Sequence, residues 1–350
     1  MTLRTRREVL ASLSMATAAL PLLGFTSVPA VKKAPKAILP PRLKPGDTVG
    51  LICPAGAAFS KEVVQITKES IEALGLKVKM GKHVFDRFGY LAGTDQARAE
   101  DVNSMFADKS VQGILAIHGG WGCARLLPLL DYKTIQKNPK PLIGYSDITA
   151  LLLAINAKTG LITFHGPVGS ATWNKFSVDS FRQVLFDGNP VLFENPKELG
   201  DNLTLTKDRI TTITPGTARG KLVGGNLTVL TAIIGSDYLP NWKDAILFLE
   251  DTNEAVYRVD RMLTQLKLAG VLDQVKGVVF GKCSDCDPGR GYGSLTLEEV
   301  LEQHLQPLKV PVYSGAMIGH ITHKFTVPVG AEAEIDATAG TIKLLGSAVS

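Results

Sequence analysis

From Gly46 onward the chain alternates short apolar runs with amphipathic stretches, and this rhythm limits the possible folds more than any single motif does. Residues 48–53, 77–79, 113–117 and 141–144 read as strands; 61–74, 95–107, 123–130 and 148–157 read as helices. Strands separated by helical stretches need crossover connections, and these build a mainly parallel sheet covered by helices. The expectation is α/β, with an N-terminal parallel-sheet domain over residues 46–175. After Trp173 the pattern changes. Residues 191–193, 203–205, 210–214 and 220–222 are short, rich in Thr and apolar side chains, and bounded by turn residues. Helical stretches at 227–234, 255–269 and 297–305 then alternate with strands at 245–249 and 277–280. This predicts a linker over 176–210 and a C-terminal α+β domain with more β character over 211–345.

A chain of 350 residues with 45% hydrophobic and 20% charged residues can bury cores of that size, and the composition is that of a packed globular protein. The formal charge of +5 belongs to the leader. Residues 1–45 hold eight Lys and Arg against Glu8 alone, leaving 30 basic against 32 acidic side chains in the rest. Sequence-independent nucleic-acid binding therefore has no electrostatic basis in the body. Thr5-Arg6-Arg7-Glu8 precedes a mildly apolar stretch to Phe25 and small residues around Ala30. That order predicts a twin-arginine signal peptide over residues 1–30, export to the periplasm and no stable membrane span after processing. Residues 31–45, with Pro35, Pro40, Pro41 and Pro45, read as a Pro/Lys-rich tether. In an oxidising compartment Cys283 and Cys286, spaced C-x-x-C, are either a local disulfide or free thiols; zinc would need a second ligand pair, which the sequence lacks.

Four motifs could carry chemistry. In Pro141-Leu142-Ile143-Gly144-Tyr145-Ser146-Asp147, an apolar strand runs into a helical pattern, so Ser146 sits on a tight strand-to-helix turn. It is either a nucleophile or an ordinary helix cap, and Ile148 replaces the second glycine of the common hydrolase elbow. His118-Gly119-Gly120-Trp121-Gly122 could present backbone amides to an oxyanion or be a plain turn; Arg125 rules out a dinucleotide fingerprint. Glu250 closes a buried apolar run, where a carboxylate needs a cation, a metal or an imidazole; Asp251 and Glu254 make a metal cluster or a solvated loop the alternatives. His320 follows a glycine-bounded apolar stretch, and His165, in Phe164-His165-Gly166-Pro167, is a second cleft candidate.

Taken together these motifs resemble the LD-carboxypeptidase family, serine peptidases that trim murein tetrapeptides, with microcin immunity hydrolases among them. The resemblance runs from Pro45 to Leu345 through Pro54-Ala55-Gly56, the His118 and Ser146 motifs, the His165 motif, Gly224-Gly225-Asn226-Leu227, Leu249-Glu250-Asp251, Gly319-His320 and Val327-Pro328-Val329-Gly330. It implies a catalytic triad of Ser146, Glu250 and His320, an oxyanion site at the Gly120 and Asp147 amides, and substrate contacts from Trp121 and His165. No cofactor or metal is expected. The implied reaction releases terminal D-Ala from a murein tetrapeptide or muropeptide through an acyl-enzyme. The alternatives are hydrolysis of aminoacyl or peptidyl nucleotide conjugates, as in the immunity members, and a non-catalytic wall-peptide binding module. Immunity members typically carry a longer interval between the Ser and Glu motifs than the 104 residues found here. Dimerisation is common in the family, so a homodimer is expected. His118 stands where the family usually has Arg, and Trp121 where it often has Tyr. A triad split between two domains further predicts that activity is lost before either domain unfolds.

Overall fold

The computed structural model describes residues 35–286 and 293–350. The signal peptide expected at residues 1–30 lies outside them.

Two sheets organise the described chain. The first contains β1 (Thr48–Ile52), β2 (Lys77–Met80), β3 (Gly113–Ala116), β4 (Leu142–Gly144) and β5 (Thr163–His165). The second contains β6 (Leu192–Phe193), β7 (Thr211–Thr214), β8 (Thr217–Asn226), β9 (Ile246–Thr252), β10 (Gly277–Ser284) and β11 (Val312–Ser314). Of the last three strands, β12 (Val327–Val329) returns to the first sheet, while β13 (Glu332–Asp336) and β14 (Thr341–Leu344) join the second. The orders are β12-β5-β4-β3-β1-β2 and β6-β14-β13-β8-β9-β10-β11-β7.

In the first sheet β1 to β5 are all parallel, as the strand–helix alternation requires, and only β12 runs antiparallel, on β5. Apart from the partly buried Thr48 that opens β1, strands β1, β3 and β4 are apolar and buried on both faces. The helices Lys61–Ala73, Asp95–Ala107 and Thr149–Thr159 cover them. The second sheet is mixed: β8, β9, β10 and β11 are parallel and the others antiparallel.

The boundaries of the two halves differ from the sequence reading in three places. Val327–Val329, within the expected C-terminal domain, supplies an edge strand to the N-terminal sheet. The expected linker holds the helix Lys175–Arg182 and β6. The described part of the expected tether is packed: Leu43 is buried, Ile38 bridges Leu161, and Arg42 N donates to Ser350 O at 3.0 Å. Two element readings also change. Residues 123–130 form a 3-10 helix, Cys123–Leu129, which contains Pro128. Residues 203–205 form no strand, and Leu203 is fully exposed, because no partner strand runs beside them.

The two sheets bring the carboxyl ends of their parallel strands to one place. β1 leads into Gly56, β3 into His118, β4 into Ser146 and β5 ends on His165, while β9 of the other sheet carries Glu250 near its end. A crevice beyond the carboxyl ends of parallel strands is where open α/β sheets bind ligands.

Candidate active site

Ser146 opens a short 3-10 turn, Ser146–Ile148, that leads into the helix Thr149–Thr159. Its φ is +64°, one of few left-handed non-glycine residues in the described chain. That conformation costs an L-residue energy and is characteristic of a strand-to-helix elbow that holds a nucleophile out of the sheet. Its hydroxyl caps neither helical segment, so the ordinary-cap alternative is not what the chain adopts. The elbow is tight because Ile148 folds back on Gly144: a Cβ on Gly144 would meet Ile148 Cγ1 at 2.9 Å. The required glycine therefore precedes the serine, and Ile148 at the position after it is buried core.

The glycine loop lies directly on Ser146. A Cβ on Gly119 would come within 2.8 Å of Ser146 Cβ and 3.0 Å of Ser146 Oγ. Gly120 has φ +125° and packs on the Gly56 backbone, with Gly56 N donating to Gly119 O at 3.1 Å. His118, the residue in place of the usual Arg, bonds through Nε2 to Gly56 O at 2.7 Å and so ties this loop to the one after β1. Asp147 is buried and accepts from Cys123 N at 2.8 Å, which fixes the far end of the loop. Burial raises the Asp147 carboxyl above its usual range, against that hydrogen bond. Arg98, fully buried and not singled out by sequence, donates to Pro54 O at 2.5 Å and Gly122 O at 3.1 Å, and pairs with Asp95. Trp121 projects from this loop, 68% exposed and edge-on to Tyr90.

Glu250 is wholly buried, and it lies between two imidazoles. His320 Nδ1 is 2.8 Å from Glu250 Oε2, and His165 Nε2 is 3.7 Å from Glu250 Oε1. Burial alone would raise the carboxyl; the two facing imidazoles overcome it and hold it down to about 2, so Glu250 is an anion at neutral pH. With Nδ1 engaged by the carboxylate, Nε2 is the ring nitrogen left for another partner. Gly319, at φ +135°, is required here: a Cβ would come within 3.2 Å of Glu250 Oε2. Ser284 Oγ donates to His320 O at 2.9 Å, and Cys283 and Cys286 form a disulfide beside it.

Tyr145 joins the two halves, its ring centroid 4.8 Å from that of His320 and 6.0 Å from that of His165. No hydrogen bond links Ser146 Oγ to His320 among the described residues, so the serine and the imidazole are neighbours through Tyr145. Unliganded active sites commonly show such loose contacts. The structure thus gathers Ser146, Glu250, His320, the Gly120 loop and Asp147. His165 departs from the sequence reading: it is 2% exposed, and its Nε2 faces Glu250 Oε1 at 3.7 Å rather than an open cleft. The acidic cluster also resolves. Asp251 accepts from Asn226 Nδ2, Thr228 N and Oγ1, and Thr252 N, while Glu254 accepts from the same Thr228 Oγ1 at 3.3 Å and pairs with Arg258, so these acids are engaged by the chain's own donors. Sequence reasoning gave no individual role to Gly119, to Tyr145 or to Lys324, whose ammonium lies 4.9 Å from the Tyr145 ring centroid.

The profile described as LD-carboxypeptidase N-terminal domain matches residues 49–166, and that described as LD-carboxypeptidase C-terminal domain matches residues 219–335. The chain is 38% identical over 304 residues to the probable murein peptide carboxypeptidase of Bacillus subtilis, covering 86% of this chain and 92% of that one. It is 31% identical over 318 residues to the Escherichia coli microcin C7 self-immunity protein MccF, covering 83% and 91% respectively. The solved structure of MccF in complex with glutamyl sulfamoyl guanosine superposes with a TM-score of 0.82 at 30% identity, covering 89% of this chain and 99% of that one. The muramoyltetrapeptide carboxypeptidase from Oxalobacter formigenes superposes with a TM-score of 0.73 at 27% identity, covering 85% and 97%.

Proposed function

Because the chain belongs to the LD-carboxypeptidase family, and is therefore a peptidase of carboxypeptidase type, we propose that it releases the terminal D-Ala from murein tetrapeptide by a Ser146–His320–Glu250 mechanism. The observation that carries this reading is the left-handed Ser146 beneath the glycine loop, next to Tyr145, whose ring meets an imidazole paired with a buried carboxylate. Ser146 Oγ attacks the carbonyl carbon of the L-centre that precedes D-Ala, and its proton passes to His320 Nε2. Glu250 accepts the Nδ1 proton in a hydrogen bond and stabilises the imidazolium that forms. The amides of Gly120 and Asp147 receive the oxyanion. His320 then protonates the departing amine, D-Ala leaves, and water hydrolyses the acyl-enzyme by the same relay. Trp121 at the mouth of the cleft offers an aromatic face to the rest of the peptide.

The superposition on MccF supports a second reading, hydrolysis of an aminoacyl or peptidyl nucleotide conjugate. Purified protein lacking residues 1–30, offered disaccharide-tetrapeptide and a glutamyl sulfamoyl nucleoside in parallel, separates the two. We expect D-Ala release from the first and little turnover of the second; the reverse order would establish the second reading. The leader supports action in the periplasm by the twin-arginine route. Replacing both Arg6 and Arg7 by Lys should trap the full-length protein in the cytoplasm, and unchanged export would refute that route.

A further inference from the structure

Lys324 is 4% exposed, an unusual setting for a lysine unless its charge has a purpose. Its backbone is fixed from outside the cleft. Lys324 N donates to Ser177 Oγ at 3.1 Å, Thr326 N to Ser180 Oγ at 2.9 Å, and Asn174 Nδ2 to Thr322 O at 2.7 Å. Phe325, the next residue, points the other way and packs on Phe176 and Phe193. The Lys324 side chain is thereby directed to Tyr145, the residue before the nucleophile, whose ring also meets His320 and His165. Among the described residues its ammonium makes no hydrogen bond and no ion pair; its one close partner is the face of the Tyr145 ring. Burial draws the ammonium down to about 8, while the Glu250 charge opposes the shift. An ammonium so placed, on a buried residue and with no counter-ion in contact, is stabilised by an anion that arrives with the substrate.

We propose that Lys324 is the receptor for the free terminal carboxylate of the substrate. The inference rests on the carboxypeptidase reading above. In a peptide cleaved at its last bond, only the nitrogen and Cα of the departing residue lie between the scissile carbonyl and the terminal carboxylate. A cation that reads this group must therefore lie close to the nucleophile, and Lys324 lies over the ring of Tyr145, the residue before Ser146. The other carboxylates of a murein tetrapeptide lie on the acyl side, farther along the chain or at the end of a long side chain. A fixed cation at this point also explains how the enzyme would select the terminal bond over internal ones: an internal residue brings a neutral amide to an unpaired charge.

The test compares the tetrapeptide with its terminal D-alaninamide analogue, for wild type, Lys324→Met and Lys324→Arg. Wild type should prefer the carboxylate peptide in kcat/KM by on the order of 10²-fold. Lys324→Met should lose that preference by slowing only the carboxylate peptide, and Lys324→Arg should recover part of it. The wild-type preference should also decline as pH rises past about 8; Tyr145 lies under the ammonium and Glu250 acts on it by charge, while His320 and His165 are the further titratable groups against the Tyr145 ring. Equal losses on both peptides, or an unchanged preference in Lys324→Met, would overturn the proposal. Modification of Ser146 by an uncharged fluorophosphonate provides a readout independent of the peptide. N-acetyl-D-alanine should slow it in wild type and not in Lys324→Met, whose unprotected rate should match wild type. A slower unprotected rate would mean that Lys324 acts on the serine, and the proposal would fall. If wild type cleaves neither peptide, the carboxypeptidase reading fails, and protection by N-acetyl-D-alanine still decides whether Lys324 receives a carboxylate.

Discussion

Gly119 carries no functional group, yet its missing side chain makes room for Ser146. Gly119→Ala would place a methyl 2.8 Å from Ser146 Cβ, so kcat/KM should fall by on the order of 10²-fold or more while the thermal midpoint changes little. Enzyme kinetics beside a thermal melt check both halves of that statement. Glu250→Gln keeps the volume and loses the charge, and kcat should drop by about 10²–10⁴-fold, the range expected when the orienting acid of a triad is neutralised. Its pH signature follows from a carboxyl lowered from 4.5 to about 2 in the folded protein. A depressed folded value contributes stability above 4.5 that is lost as pH falls towards 2. The difference in urea midpoint between wild type and Glu250→Gln should therefore shrink over that window, and a constant difference would contradict the assignment. Ser146, Glu250 and His320 were legible because each is a reactive type at the end of an apolar run. His165 was assigned to substrate and Lys324 was given no role. Each depends on which strand ends face one another, and local sequence does not encode that for residues so far apart.

Among the elements, the end of β10 links chemistry to local stability. Cys283 pairs with Asp251 of β9, the residue after Glu250, and Ser284 holds the His320 carbonyl. The Cys283–Cys286 disulfide closes so short a loop that replacing both by Ser should cost about 2 kcal/mol or less in unfolding free energy. The larger expected effect is on kcat, since the anchor of His320 loosens; a few-fold loss with unchanged KM, matched by wild type in reductant, would show it. A variant with full kcat would mean that the disulfide does nothing for the imidazole. The C-x-x-C spacing was legible and its redox state was not. The parallel strands β1, β3 and β4 were legible because burial on both faces makes them apolar apart from Thr48. β5 and β12 are only three residues each, too short for a periodic signal. The alternation at 203–205 imitates a strand, but a strand exists only where a neighbour accepts its hydrogen bonds.

At the scale of the molecule, β12 crosses from the C-terminal half into the N-terminal sheet, and Asn226 N donates to Thr149 Oγ1 at 3.0 Å between the halves. A site split between separable domains would lose activity before either unfolded; these cross-links remove that premise. Residues 35–350 should unfold in one cooperative transition, with activity and near-ultraviolet circular dichroism lost at the same urea concentration. Activity that vanished well before the spectroscopic change would restore the separable picture. The crossing strand was invisible to a division made by rhythm, because Val327–Val329 resembles any short apolar run and its destination is set by the exposed edge of β5. The central claim is that Ser146, poised by these two sheets, cleaves a murein tetrapeptide. The most direct measurement is D-Ala release from purified disaccharide-tetrapeptide by the protein lacking residues 1–30, with Ser146→Ala beside it. Release that the variant loses by ~10³-fold or more is the predicted result. No release by wild type, or equal release by both, would contradict it.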